Sequence, residues 1–200
     1  MKKIILMTTL VASTALPVQA AWQVQSEHSK VNFVTEKIFT NGKSVKETQL
    51  ISGVSGQVND QKQAEIKIDL ATIDTKIPIR NDRIKQWVLD TTNYRYATVK
   101  ADLSGIDEQK LTVGAVKQME VDGKLTIRET TLPIKLFVKV IKSSATDYLV
   151  ESYQDTSINI SQYGGEAGVQ QMTKVMGLKS ITSVVPVKWA LTLKQTNPLN

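Results

Sequence analysis

Thr131-Leu132-Pro133-Ile134-Lys135-Leu136-Phe137-Val138-Lys139-Val140-Ile141-Lys142 is the stretch that decides the fold class. Leu132, Ile134, Leu136, Val138 and Val140 fall on one side of a period-two pattern, with Pro133, Lys135, Phe137, Lys139 and Ile141 on the other. Successive side chains of a strand point to opposite faces, so this row reads as a strand with one buried face. A strand of a parallel sheet, covered on both faces, would read as an unbroken apolar run, which this is not.

The same rhythm continues in both directions. Val31 and Phe33 alternate with Lys30 and Asn32, and Ile66, Ile68 and Leu70 with Glu65, Lys67 and Asp69. Val121, Leu125 and Ile127 alternate with Asp122, Lys124, Thr126 and Arg128; Val185, Val187, Trp189, Leu191 and Leu193 repeat the pattern near the C-terminus. The segments are joined by turn-forming pairs such as Asn59-Asp60, Ser104-Gly105 and Ser143-Ser144. About eight or nine one-sided strands must hide their apolar faces by closing on themselves or by stacking two sheets. A closed antiparallel barrel is the first expectation, because closure also removes exposed edges; a sandwich with a filled core is the second.

Two segments break the alternation. From about 79 to 89, Ile79, Ile84, Trp87 and Val88 fit helical spacing, with Pro78 before them, Asn81 or Asp82 as the cap and Asp90-Thr91-Thr92-Asn93 as the stop. From about 162 to 179 the chain carries Gly164, Gly165, Gly168 and Gly177, with Val169, Met172, Val175 and Met176 at near-helical spacing. This second segment reads as a glycine-bordered mobile flap with a short helix.

The N-terminus is a targeting signal. Lys2 and Lys3 precede the uncharged apolar run Ile4 to Leu16, and Val18 and Ala20 are the small residues a signal peptidase requires, so cleavage is expected after Ala20. The run is too short to span a bilayer, which needs roughly 20 apolar residues. The expected domain plan is therefore a signal peptide over 1–20 and a single β-barrel domain over 21–200, placed in the periplasm. The chain has no cysteine, so neither a disulfide nor a lipid-modified N-terminus is available. Its formal net charge of +6 includes Lys2 and Lys3, and the remaining surplus is scattered. A diffuse excess of this kind suits an anionic head group or a membrane surface but is no nucleic-acid footprint.

Catalytic constellations are scarce. His28 is the single histidine, so zinc lacks its usual ligands and no metal site is expected. There is no Gly-x-Ser-x-Gly elbow, and Tyr163-Gly164-Gly165-Glu166 is no phosphate loop. His28 stands before a strand beside Ser29, where fixing the strand's entry is the plain reading and a general base the sharper one. Asp82 and Asp90 occupy the two ends of the expected helix, where capping outweighs an acid/base pair. Lys76, Arg80, Arg83 and Lys85 form a basic group around the helix start that would suit an anionic head.

With these residues in hand, three motifs in order resemble the YceI-like family. Trp22-Gln23-Val24-Gln25-Ser26-Glu27-His28-Ser29-Lys30-Val31-Asn32-Phe33 is similar to its opening His-Ser-x-Val-x-Phe strand. Ile66 to Leu70, Asp74-Thr75, Arg80-Asn81-Asp82-Arg83-Ile84-Lys85, Trp87 to Asp90 and Asn93-Tyr94 resemble its strand, Arg-Asp helix and Phe-Asp-x-x-x-Tyr-Pro block. Val121 to Arg128 with Thr131 to Ile134 resembles its Gly-x-Leu-Thr-Ile and Pro-Val pair. Arg95-Tyr96 departs from the family's Pro after Tyr, and the 162–179 flap matches no family motif.

The resemblance implies an all-β, eight-stranded antiparallel lipocalin-like barrel with a helix across it and an apolar cavity. The implied ligand is a polyisoprenoid lipid, a quinone or a prenyl phosphate, with no cofactor and no catalysis. The tail is expected among Val31, Phe33, Val54, Ile66, Ile68, Val99, Leu125, Ile127, Leu136, Val138 and Trp189, with Trp87 closing one side and Arg80 or Arg83 at the head group. Transient contact with a membrane or membrane protein and pairing as a homodimer are compatible with such a barrel. Two other readings compete: an adhesin-like sandwich with a filled core, and a hydrolase or isomerase using His28.

Overall fold

A computed structural model describes residues 20–107 and 110–196. The first 19 residues, which hold almost all of the expected export signal, lie outside the described residues. The described chain forms thirteen strands: β1 (Ala20–Val24), β2 (Lys30–Phe39), β3 (Ser44–Ile51), β4 (Val54–Asn59), β5 (Gln63–Asp69), β6 (Ile73–Asp74), β7 (Tyr96–Asp102), β8 (Val116–Ile127), β9 (Thr130–Lys142), β10 (Asp147–Ser152), β11 (Thr156–Asn159), β12 (Leu178–Ile181) and β13 (Val184–Gln195). Consecutive short strands continue one another end to end. The sheet therefore has eight staves: β1 with β2, β3 with β4, β5 with β6, β7, β8, β9, β10 with β11, and β12 with β13.

Each stave pairs antiparallel with its neighbour in sequence, and the last returns to the first through β13 with β1 and β2. The sheet is a closed up-and-down barrel, so the sandwich does not apply. The hairpin of β8 and β9 is its longest unbroken pairing, running from Val116↔Ile141 to Ile127↔Thr130. This pairing sends Val121, Leu125 and Ile127, together with Leu136, Val138 and Val140, to the buried face. Phe137 stays on the outer face, where it meets Tyr153 edge-on at 5.7 Å.

The breaks within staves have local causes. The first is a 3-10 turn at Ser26–His28, fixed by Ser29, whose hydroxyl donates to the Gln25 carbonyl at 2.7 Å and accepts from Thr192 N–H at 3.1 Å. Strand entry is thus held by Ser29, while the His28 side chain is exposed. The second lies at Gly53, between β3 and β4, whose N–H donates to Thr72 Oγ1 at 2.8 Å. A Cβ there would come within 2.7 Å of Thr72 Cγ2, so only glycine lets the two segments approach this closely.

Two helices cover one end of the barrel. α1 (Pro78–Arg83) begins on Pro78, which presets the backbone of the first helical position and lacks an N–H that would go unpaired there. The expected cap at Asn81 or Asp82 is not used. Asn81 Oδ1 instead accepts from the N–H and hydroxyl of Thr75, at 2.8 and 2.5 Å. The helix then widens into a π-helical turn over Ile84–Leu89, closed by Asp90 N–H donating to the Lys85 carbonyl, with Asp90 in the left-handed region at φ 50°. α2 (Glu166–Val175) and β12 form the second segment that broke the alternation. Far from standing free, α2 lies against the π-helical turn with Val169 and Met172 buried.

Candidate functional site

Inward-pointing side chains leave the barrel interior hollow. An upper chamber of about 190 Å³ lies beneath the two helices, a middle chamber of about 130 Å³ follows, and a small space of about 50 Å³ sits near the opposite end. Val31, Ile68, Leu125, Ile158 and Val187 border both the upper and the middle chamber. Val58, Leu103, Val150 and Leu193 border both the middle chamber and the smallest. The three spaces therefore form one file along the barrel axis. It ends at Trp22 and Tyr148, whose rings meet edge-on at 6.3 Å.

Val31, Phe33, Ile68, Leu125 and Ile127 line the upper chamber, and Val31, Val54, Ile66, Ile68, Val99, Leu125, Leu136, Val138 and Trp189 line the middle one. Eleven of the twelve residues expected at a cavity wall are thus brought together. Trp87 is not. The π-helical turn from Ile84 to Leu89 carries more residues per turn than an α-helix, so the buried face takes Ile84, Val88 and Leu89 and rotates Trp87 away. Trp87 lies instead under the Arg83 guanidinium, 5.5 Å from its ring centre, and this contact keeps Arg83 out of the chamber as well.

Several walls escaped the sequence. Val169, Met172 and Met176, at positions i, i+3 and i+7 of the glycine-bordered segment, form part of the roof of the upper chamber, with Ile181 and Val185 beside them. Their spacing was legible as a helical face; that the face looks into the barrel was not. Ile51, Leu70, Ile73, Ala97 and Ile158 complete the wall from staves whose alternation is short or broken.

The roof is locked from below by Arg128, at the turn between β8 and β9, which adopts φ 53°. Its guanidinium donates to three carbonyls: Val88 at 2.8 Å, Leu89 at 3.4 Å and Gly164 at 2.7 Å. One cation thus joins the end of the π-helical turn to the approach of α2, satisfying carbonyls that helix ends leave unpaired. At the start of α2, Glu166 accepts from Ser161 Oγ, from Gln170 Nε2 at 2.9 Å and from Ser183 Oγ at 3.2 Å, and these bonds hold its carboxyl below the usual range. Gly168 meets the π-helical turn so closely that a Cβ would lie 2.7 Å from Val88 Cα and closer still to the Trp87 carbonyl.

The charged side chains of the upper chamber, Lys37 and Arg80, meet at Glu47. Lys37 Nζ and Arg80 Nη1 both reach Glu47, at 2.8 and 2.5 Å, and Arg80 Nη2 donates to the Thr75 carbonyl at 2.5 Å. Burial pushes the Glu47 carboxyl up, but the hydrogen bonds and charges of Lys37 and Arg80 outweigh it and hold the group below its usual range. Gln49 donates to Thr35 Oγ1 at 3.2 Å beside them. Among the described residues, two buried donors lining the chambers have no hydrogen-bond partner: Arg80 Nε and Trp189 Nε1.

The chamber walls are built largely of aliphatic side chains. Apolar cavities of this kind stay dry and take up apolar molecules. His28 lies outside the barrel interior, exposed. Asp82 pairs with Lys85 at 3.0 Å, and Asp90 accepts from Asn93, so neither carboxylate faces the chamber.

The fold has solved counterparts. A polyisoprenoid binding domain from Saccharophagus degradans, implicated in plant cell wall breakdown, superposes with a TM-score of 0.82 at 26% identity over 88% of this chain and 99% of that one. BcnA of Burkholderia cenocepacia shares the fold, with a TM-score of 0.64 and 22% identity over 84% of this chain and 98% of that one. No curated protein matches the sequence. The model of the YceI-like domain matches residues 22–193, almost the whole described barrel, and the chain belongs to the YceI-like family.

Proposed function

We propose that this protein is a non-catalytic carrier that holds one long polyisoprenoid lipid, a quinone or a prenyl phosphate, in the file of chambers. The observation that carries the reading is the succession of three chambers that share lining residues, mostly hydrocarbon from the roof at Met172 to the Trp22 ring, with Lys37 and Arg80 in the upper one, Thr156 in the middle one and Lys62 in the smallest. An isoprenoid tail presents little but apolar surface, at about 0.8 kcal/mol for each buried CH₂. A tail of this class would exceed the practical affinity ceiling near roughly −20 kcal/mol were ordering costs not offsetting much of the gain. Selection therefore rests on chamber length and on the Lys37 and Arg80 end. The solved relative described as a polyisoprenoid binding domain supports the same ligand class.

In this reading the head group sits at Arg80, with Lys37 as the second cation in place of Arg83. A periplasmic location is part of the proposal, supported by the export-signal reading of Lys2, Lys3 and the apolar run Ile4 to Leu16. Protein produced in a quinone-containing host, purified and extracted with organic solvent, is expected to yield a long isoprenoid by mass spectrometry. An extract free of isoprenoid contradicts the proposal.

A further inference from the structure

The end of the barrel that holds the upper chamber carries apolar side chains that the fold leaves uncovered. Phe39, at the end of β2, is 37% exposed; Ile77 and Ile79, at the start of α1, are 44% and 57% exposed; Val175, at the end of α2, is 49% exposed. They belong to one rim. Phe39 continues the strand face on which Phe33, Thr35 and Lys37 line the chamber, and it pairs with Leu178, three residues after Val175. α1 is tied to the same wall through Arg80 and Glu47.

Each apolar tip has a lysine beside it. Lys43 follows Phe39 across a tight turn closed by Phe39 N–H and the Lys43 carbonyl at 2.9 Å, Lys76 precedes Ile77, and Lys174 and Lys179 flank Val175. All four are exposed. Lys76 pairs with Asp74 at 2.6 Å, while Lys43, Lys174 and Lys179 have no carboxylate within ion-pair distance among the described residues.

Apolar tips interleaved with unpaired cations are the composition that seats a protein in the interface of an anionic bilayer. The apolar groups enter the acyl boundary and the lysines meet the head groups. We propose that this rim docks the chamber end of the barrel on an anionic lipid surface, so that cargo passes between membrane and chamber without crossing water. The cargo half of that statement rests on the function proposed above; the docking half rests on the rim.

The test is sedimentation of the full mature chain with vesicles of phosphatidylcholine alone and of phosphatidylcholine mixed equally with phosphatidylglycerol. Binding is expected to the mixed vesicles only, and to weaken as salt shortens the reach of the charges. Lys43→Gln with Lys174→Gln is expected to weaken it roughly 25-fold, at about fivefold for each charge removed. Ile79→Ser with Val175→Ser is expected to weaken it by a similar order. Val116 and Val113, at the opposite end, are 57% and 61% exposed, and Val113→Ser with Val116→Ser removes comparable apolar surface there. This pair is expected to bind like the parent.

Failure to bind either vesicle, or equal loss from the opposite-end pair, overturns the docking face. Lipid extraction of the same samples separates the two ideas. A barrel that yields an isoprenoid yet ignores vesicles overturns docking alone. An empty extract from protein that still binds mixed vesicles overturns the cargo and leaves the rim standing.

Discussion

Gly168→Ala sets two backbone effects against each other. Alanine is the better helix former by up to about 1 kcal/mol, so in an uncrowded helix the exchange stabilises. Here the new Cβ would stand 2.7 Å from Val88 Cα and closer to the Trp87 carbonyl, and all of these are backbone atoms that no rotamer change can clear. α2 must therefore lift away from the π-helical turn by the order of an ångström. Val169 and Met172, now 8% and 4% exposed, lose part of their cover. Full exposure of two such side chains would cost roughly 3–6 kcal/mol, and partial exposure about half of that, which exceeds the propensity gain. A net loss of about 0.5–2 kcal/mol should lower the melting temperature by roughly 1–8 °C in a domain of this size. Thermal unfolding followed by circular dichroism reads that shift. Uptake of an apolar fluorescent probe reads the loosened roof, with faster entry expected in the variant. A melting temperature equal to or above the parent's, with unchanged probe entry, would refute the close-packed roof.

Other consequences can be checked with the same preparation. Arg128→Met removes three donors from the Val88, Leu89 and Gly164 carbonyls and should cost about 2 kcal/mol, with amide exchange in the α1 to Leu89 segment and in α2 accelerating more than in β8 or β9. Uniform acceleration across the barrel would count against a local latch. Glu47 is held below its reference value of 4.5, so its contribution is present above that pH and lost as pH falls through the lowered folded value. Glu47→Gln should therefore be less stable than the parent near neutrality and approach it on acidification below about 4.5; a constant gap across that range would contradict the assignment. His28→Gln should leave bound lipid unchanged and shift stability by no more than roughly 0.5 kcal/mol, because the ring is exposed. Loss of the ligand in that variant would reopen a role for His28.

The barrel was legible because its longest hairpin keeps strict alternation: the row from Leu132 to Val140 faces inward as period two requires, and its partner β8 follows suit. Staves broken in the middle, such as β3 with β4 and β10 with β11, were harder, which is why Ile51 and Ile158 were absent from the expected wall. The helix over α1 and the π-helical turn was placed within a residue at its start. Trp87 packs against the core without lining a chamber, because the π-helical turn brings Val88 and Leu89 to the upper one, and nothing in Ile84 to Leu89 announces that wider turn. The roof residues Met172 and Met176 looked like ordinary core, since a side chain filling a barrel and one lining a cavity face inward at the same period. Arg80, singled out by its basic neighbourhood, lines the upper chamber. Its partners Lys37 and Glu47, distant in sequence from that helix, carried no local signal pointing to it.

Native mass spectrometry of freshly purified protein tests the central claim most directly, because it reports the mass and the stoichiometry of whatever the chambers hold. The account predicts a main species heavier than the chain by the mass of one long isoprenoid, lost on collisional activation. A main species at the mass of the bare chain, in protein made by a quinone-containing host and kept under gentle conditions, would contradict it.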